Sequence, residues 1–248
     1  MKKQTISIIL VTAAILFGGC TTTDTPQPGG TRYPDTHQNY PPQQEPGTIP
    51  PQGEAYGLEY DLSGYLLPVK TLENGTVTKR FAVTTQESDG YFSSTRTEIV
   101  RTLEGITDDL DRPIVNVFEG EAPYQQRVES YLVDDRRISV TFYDTNDNIT
   151  SQEQYPRYLQ VGSDLLRNQD GACVLQSHIT DFDMGNVPVQ AEPNGHYHSV
   201  LHVKCGTASG DSIDRYYADG WGQILAIRES SDGTTVYSVF DQSSYIEQ

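Results

Sequence analysis

The chain is poor in cysteine and in positive charge, and each shortage removes a class of function. Only 3 cysteines occur in 248 residues, and none stand as a Cys-x-x-Cys pair, which removes the usual frame for a zinc site. Lysine and arginine number 17 against 34 aspartates and glutamates, a formal net charge of −17. A chain this acidic is repelled by nucleic acid and by anionic lipid, so neither is a partner by charge. There is no Gly-x-Ser-x-Gly or Ser-x-x-Lys motif, and no carboxylate spacing singles out an acid–base pair. The expectation is therefore a protein without catalytic residues or cofactor. Asp144, Asn146 and Asn148 open like a calcium loop, but Ile149 stands where that loop needs glycine and Tyr155 where it needs glutamate. A hairpin turn is the reading that remains.

What is present begins with an address. Lys2 and Lys3 precede an apolar run from Ile6 to Phe17 that ends in Gly18-Gly19-Cys20. The run is shorter than the ~20 residues that span a bilayer and reads as a cleaved secretory signal, residues 1–19. The small residues before Cys20 resemble the lipobox of bacterial lipoproteins, with Phe17 where leucine is usual. That resemblance implies a lipid on Cys20, and Thr21 in place of aspartate implies the outer membrane, with the mature protein held in the cell envelope. Removing Lys2 and Lys3 takes the net charge from −17 to −19. Residues 20–54 hold eight of the chain's 14 prolines and almost no aliphatic side chains. Such a stretch cannot bury a core and is expected to be a disordered tether.

Residues 55–248 carry the pattern of an all-β domain. Apolar–polar alternation recurs between turn signals: Asn74-Gly75 separates LLPVKTLE from TVTKRFAVTT, and Asp134-Asp135 and DTNDN link RVESYLV, RRISVTFY and ITSQEQYPRYL. SDLLRNQDG is expected to hold one helical turn. Gly220-Trp221-Gly222 marks a bend or bulge where a large ring closes one end of the sheet. The expected architecture is an antiparallel meander forming a sandwich or a strongly curved half-barrel.

Once Cys20 carries lipid, Cys173 and Cys205 remain, an even number in an exported protein, and one disulfide is expected. Placing them opposite each other on adjacent antiparallel strands sets a register. Cys173, Leu175, Ser177 and Ile179 then share the core face with Tyr197, Ser199, Leu201, Val203 and Cys205. The opposite face carries His178 opposite Val200, with His198 and His202 on its diagonals. His178, His196 and His198 are the candidate metal ligands, with Asp181 or Asp183 completing the shell, because diagonal neighbours lie roughly 7–8 Å apart. His202 stands four strand residues from His198, about 13 Å, too far to share its ion. His-x-His alone is a weak signal, and exposed polar residues on a solvated sheet face are the favoured reading.

The succession DLSGYLLP, PRYLQVGS, YHSVLHVKC and RYYADGWGQILAI resembles an uncharacterised family of bacterial lipoproteins whose β-rich domain ends in a Tyr-Tyr-Ala-x-Gly-x-Gly segment. Trp221 stands where that family usually has valine. The resemblance implies fold and location and supplies no chemistry. Together these readings point to a non-catalytic envelope lipoprotein that binds an envelope protein or plays a structural part. The alternative is a carrier or chaperone of lipid or another hydrophobic ligand, which needs an open apolar cavity where an interaction module is filled with side chains.

Overall fold

The computed structural model describes residues 57–93, 96–168, 171–187 and 195–248. The signal segment 1–19, Cys20 and the tether 20–54 lie outside the described residues. The described residues open with β1 (Glu59–Asp61), α1 (Leu62–Leu66) and α2 (Val69–Leu72). Then come β2 (Thr76–Gln86), β3 (Thr97–Thr107), β4 (Pro113–Glu119), β5 (Gln126–Val133), β6 (Arg137–Tyr143) and β7 (Ile149–Pro156). After β8 (Tyr158–Gln160) and β9 (Asp164–Asn168) follow β10 (Gly171–Ile179), β11 (Phe182–Asp183), β12 (His196–Tyr197) and β13 (Val200–Thr207). Strands β14 (Ser212–Ala218), β15 (Gly222–Glu229) and β16 (Thr235–Glu247) complete the chain.

Much of the acidity is spent on turns. Asp134 accepts hydrogen bonds from the amides of Arg136 and Arg137, Asp144 from those of Asn146 and Asn148, and Asp108 from those of Leu110 and Arg112. These are side-chain mimics of a backbone turn. The amide bonds hold the Asp134 and Asp144 carboxyls below the usual carboxylate range, and the Arg112 guanidinium, helped by the amides, does the same for Asp108. The turn in DTNDN is thus a hairpin made by Asp144, as its failed calcium pattern implied.

Twelve antiparallel strands form one sheet in the order β7-β6-β5-β4-β3-β2-β16-β15-β14-β13-β10-β9, which curls into a nearly closed barrel with β7 and β9 at its seam. Register fixes the inward residues: Leu103 faces Val117, Tyr131 faces Val140, and Leu201 faces Tyr217. They belong to one apolar cluster with Val115, Val133, Ile138, Leu175 and Val203. Into that cluster the N-terminal segment inserts Tyr60, Leu62, Tyr65 and Leu67 as a plug. Leu62 is 2% exposed and Leu67 0%, and burying such a side chain contributes about 1.5–3 kcal/mol. A second cluster covers the other face of β13 to β16, where Phe182, Met184, Val187 and Tyr197 pack with Tyr216, Leu225, Tyr237 and Val239.

Three sequence readings are corrected. LLPVKTLE is helical rather than a strand. Asp61 caps α1 by accepting from the Ser63 amide, and Pro68, which has no N–H to give a ladder, precedes α2. SDLLRNQDG contains strand β9 rather than a helical turn, because its backbone pairs with β10. Cys173 and Cys205 do sit opposite each other and are bonded, and Leu175 faces Val203. A bulge at Gln176 then shifts the register, so His178 faces Leu201 rather than Val200. A one-residue slip moves every later side chain to the other face. His178 therefore turns inward, and Ile179 joins Val200 in the second cluster.

Gly105 on β3 is where α2 meets the barrel wall. A Cβ built there would lie 1.9 Å from the Thr71 carbonyl oxygen, a backbone atom that cannot swing aside. Gly105→Ala is expected to push α2 off the wall and cost roughly 1–3 kcal/mol in urea unfolding. An unchanged midpoint would mean that the plug does not close on β3 in this way.

Candidate functional site

Charged and phenolic side chains occupy inward positions next to the apolar plug. Lys79 and Arg101 are paired across β2 and β3, and Arg101 faces Glu119 on β4. Val117 faces Glu129 on β5, which faces Phe142 on β6, and Ile138 faces Tyr155 on β7. From the opposite wall, Arg215 and Tyr217 on β14 face Val203 and Leu201. Strand alternation places all of these on the face that holds the first apolar cluster. They form a belt across the barrel.

The belt is bonded from within. Arg101 donates to Glu119 Oε2 at 3.3 Å from both Nε and Nη2, and its Nη1 lies 4.0 Å from Glu129 Oε1. The Tyr131 hydroxyl donates to Glu129 Oε2 at 2.6 Å, and that of Tyr155 donates to Glu153. Burial pushes both phenols far above their ordinary pKa, with the neighbouring carboxylates adding to the effect, so both remain protonated donors. Arg101's side chain is 30% exposed and that of Glu129 19%; the belt therefore borders water.

Lys79 plays a different part. It is 2% exposed, and its Nζ donates to the carbonyls of Trp221 at 2.7 Å and Gln223 at 2.6 Å. Those carbonyls flank the first residue of β15, before its pairing with β16 begins at Leu225. The lysine supplies the donors that a neighbouring strand would otherwise give. Its Nζ also lies 4.3 Å from the Phe240 ring centre. Burial drives the ammonium well below its ordinary pKa, and Arg101 pushes in the same direction.

A polar chain fastens the plug to the wall. Ser199 Oγ is hydrogen-bonded to Tyr65 Oη at 2.7 Å and to His178 Nε2 at 2.8 Å, while the Tyr60 ring lies 4.7 Å from the imidazole. The Tyr60 hydroxyl is buried with no partner among the described residues. Burial lowers the His178 pKa, with the Asp219 charge pulling weakly the other way.

The three histidines singled out as metal ligands are not brought together. His178 is committed to Ser199 inside the wall. His196 stands exposed between Asp181, 3.7 Å from Nδ1, and Asp183, 3.6 Å from Nε2. His198 is exposed. Among the described residues no group of three or more His, Cys, Asp or Glu side chains is arranged to hold a metal ion. His202 bonds to Asp214 and stacks on Tyr216 with ring centres 4.6 Å apart. Burial raises the Asp214 pKa, but His202 and Lys204 outweigh it and hold the carboxyl below its usual range. On the rim, a groove of about 410 Å³ contains Phe118, Gln125 and Arg127, whose guanidinium is taken up by Asp147 at 2.7 Å.

The belt residues were not selected from sequence. A signal existed: Arg101 stands in phase with Ile99 and Leu103, and Glu129 with Tyr131 and Val133. Val100 and Thr102 occupy the other phase and are also buried, so alternation alone did not say which face of β3 was inward.

His178 makes stability depend on pH. Its folded pKa lies below the unfolded value of about 6.5, so between the two the unfolded chain binds more protons and stability rises with pH. As pH falls from 7.5 toward 5.5 this contribution is lost. His178→Gln is expected to lose less melting temperature over that range than the unsubstituted protein. Equal losses would mean that the imidazole is not held neutral by the wall.

No family model matches this chain, and no curated protein matches it. Among solved structures, a Bacteroides fragilis protein described as a "putative exported protein with YmcC-like fold" aligns at 12% identity, over 71% of this chain and 97% of its own, with a TM-score of 0.37. A likeness of that degree carries no argument about this chain.

Proposed function

We propose that the protein is a lipid-anchored envelope module that binds or supports a polar partner without catalysis, and that it does not carry lipid. The carrying observation is the filling of the barrel. The plug takes up the apolar part of the interior, and Arg101, Glu129, Tyr131, Tyr155 and Arg215 face inward beyond it. An acyl chain placed against that belt would strip water from charged groups and return no hydrogen bonds, a cost of several kcal/mol. A carrier of hydrophobic ligands needs the reverse arrangement. The signal pattern ending at Cys20 and the acidic surface support attachment through lipid, because the protein's charge opposes adsorption to anionic membranes.

One preparation tests both halves. Cys20→Ser should move the protein from the membrane to the soluble fraction, since stable anchoring takes at least two acyl chains. The soluble variant should show no saturable binding of a fluorescent fatty acid. Retention in membranes would contradict the anchor, and saturable binding at one fatty acid per chain would contradict the polar reading of the barrel.

A further inference from the structure

We propose that the outer face of β4 to β7 is a docking surface for a neutral, hydroxyl-rich glycan chain. The inference rests on the reading of the protein as a module for a polar partner and names that partner's chemistry.

The barrel wall is unevenly covered. The second apolar cluster, which lies over the outer side of β13 to β16, takes no residue from β4 to β7. Alternation on those four strands turns Val115, Val117, Val133, Ile138 and Val140 into the barrel, so the residues between them point outward. One outward row runs through Asn116, Ser130, Thr141 and Gln152, and the next carries Leu132, Ser139 and Gln154. Neither row contains a carboxylate, in a chain that has 34. Two grooves open to solvent lie on this face. One, of about 410 Å³, contains Phe118 and Arg127, and the other, of about 270 Å³, contains Ser130, Thr141 and Gln152.

Amide and hydroxyl side chains both donate and accept hydrogen bonds, as sugar hydroxyls do. Gln152 Nε2 donates to Thr141 Oγ1 at 3.3 Å, and Gln154 Oε1 accepts from Arg137 Nη1 at 3.1 Å. These bonds orient the two amides and leave the Gln152 oxygen and the Gln154 amide hydrogens for a ligand. In the larger groove Arg127 lies over the Tyr143 ring at 4.0 Å and gives Nε and Nη2 to Asp147. The pair neutralises itself, and with Phe118 it supplies planar groups on which the C–H face of a sugar ring can pack. A nucleic acid or anionic lipid would find little counter-charge here. Hydrocarbon would strip water from the amides and return no hydrogen bonds. An extended peptide is held by a backbone ladder along a strand edge, which outward side chains do not supply.

The experiment uses the soluble full chain carrying Cys20→Ser, isotopically labelled. Neutral tetrasaccharides of glucose, galactose, mannose and N-acetylglucosamine are titrated separately while the backbone amides of Ser130, Thr141, Tyr143 and Gln152 are followed. Saturable shifts are expected with at least one sugar. Tyr143→Ala should weaken that binding about tenfold, through loss of the stacking platform. Gln152→Ala should weaken it roughly two- to tenfold, through loss of one hydrogen-bonding side chain. Arg167→Gln, at a surface arginine closed by Asp164, should leave it unchanged. If Tyr143→Ala does not fold, Gln152→Ala decides, since Gln152 is exposed. The absence of saturable shifts with all four sugars would overturn the proposal, as would unchanged affinity in Gln152→Ala and Tyr143→Ala. Tighter binding of a serine–asparagine–glutamine peptide at the same amides would also overturn it, in favour of a protein partner. None of these outcomes touches the reading of the barrel interior, which falls instead to saturable fatty-acid binding.

Discussion

A twelve-stranded sheet that curls toward closure encloses more space than its own inward side chains fill. The rest of this structure answers that constraint. The N-terminal segment folds inward and contributes Tyr60, Leu62, Tyr65 and Leu67 to the barrel's apolar cluster. Its path is possible because Gly105 leaves room for the α2 backbone and Gly222 for the Leu66 carbonyl. Its position is pinned by polar links to the wall: Arg157 donates to Asp61 at 2.8 Å, and Ser199 ties Tyr65 to His178. A short segment thus contributes four buried side chains to the barrel's core.

The remaining interior is charged, which is costly unless the groups satisfy one another. Phenols make that possible. Tyr131 and Tyr155, kept protonated by burial, donate to carboxylates that could not all reach an arginine. Lys79 offsets its burial by supplying donors to carbonyls left bare where β15 parts from β16. The belt is also what separates this barrel from a lipid carrier, because it places fixed polarity where a carrier would need hydrocarbon. Arg215 joins the belt from the opposite wall through its side-chain hydrogen bond with Tyr217.

Strand alternation and turn chemistry made most of the sheet legible in the sequence. Asp134 and Asp144 mark real hairpin turns, and the antiparallel meander follows from them, whereas Asn74-Gly75 joins α2 to β2 rather than two strands. The two cysteines fixed the β10–β13 register as far as Leu175. Beyond it the reading failed, since nothing in VLQSHI announces a bulge at Gln176, and one added residue turned His178 from an outward ligand into an inward partner of Ser199. LLPVKTLE misled for a related reason. Its apolar density fits a strand or a plug helix, and only the space inside a twelve-stranded barrel decides between them. The belt lay hidden because both phases of β3 are buried, so its charged phase did not stand out.

The central claim is that the belt joins opposite walls of the barrel, and a double-mutant cycle between β14 and β5 measures this most directly. Arg215→Met and Glu129→Gln are made singly and together, and unfolding free energies are compared in urea. Because the two groups share one network across the interior, their effects should fail to add by more than about 0.5 kcal/mol. Additivity within that margin would mean that the two walls do not share a belt, and the account of the barrel's interior would be wrong.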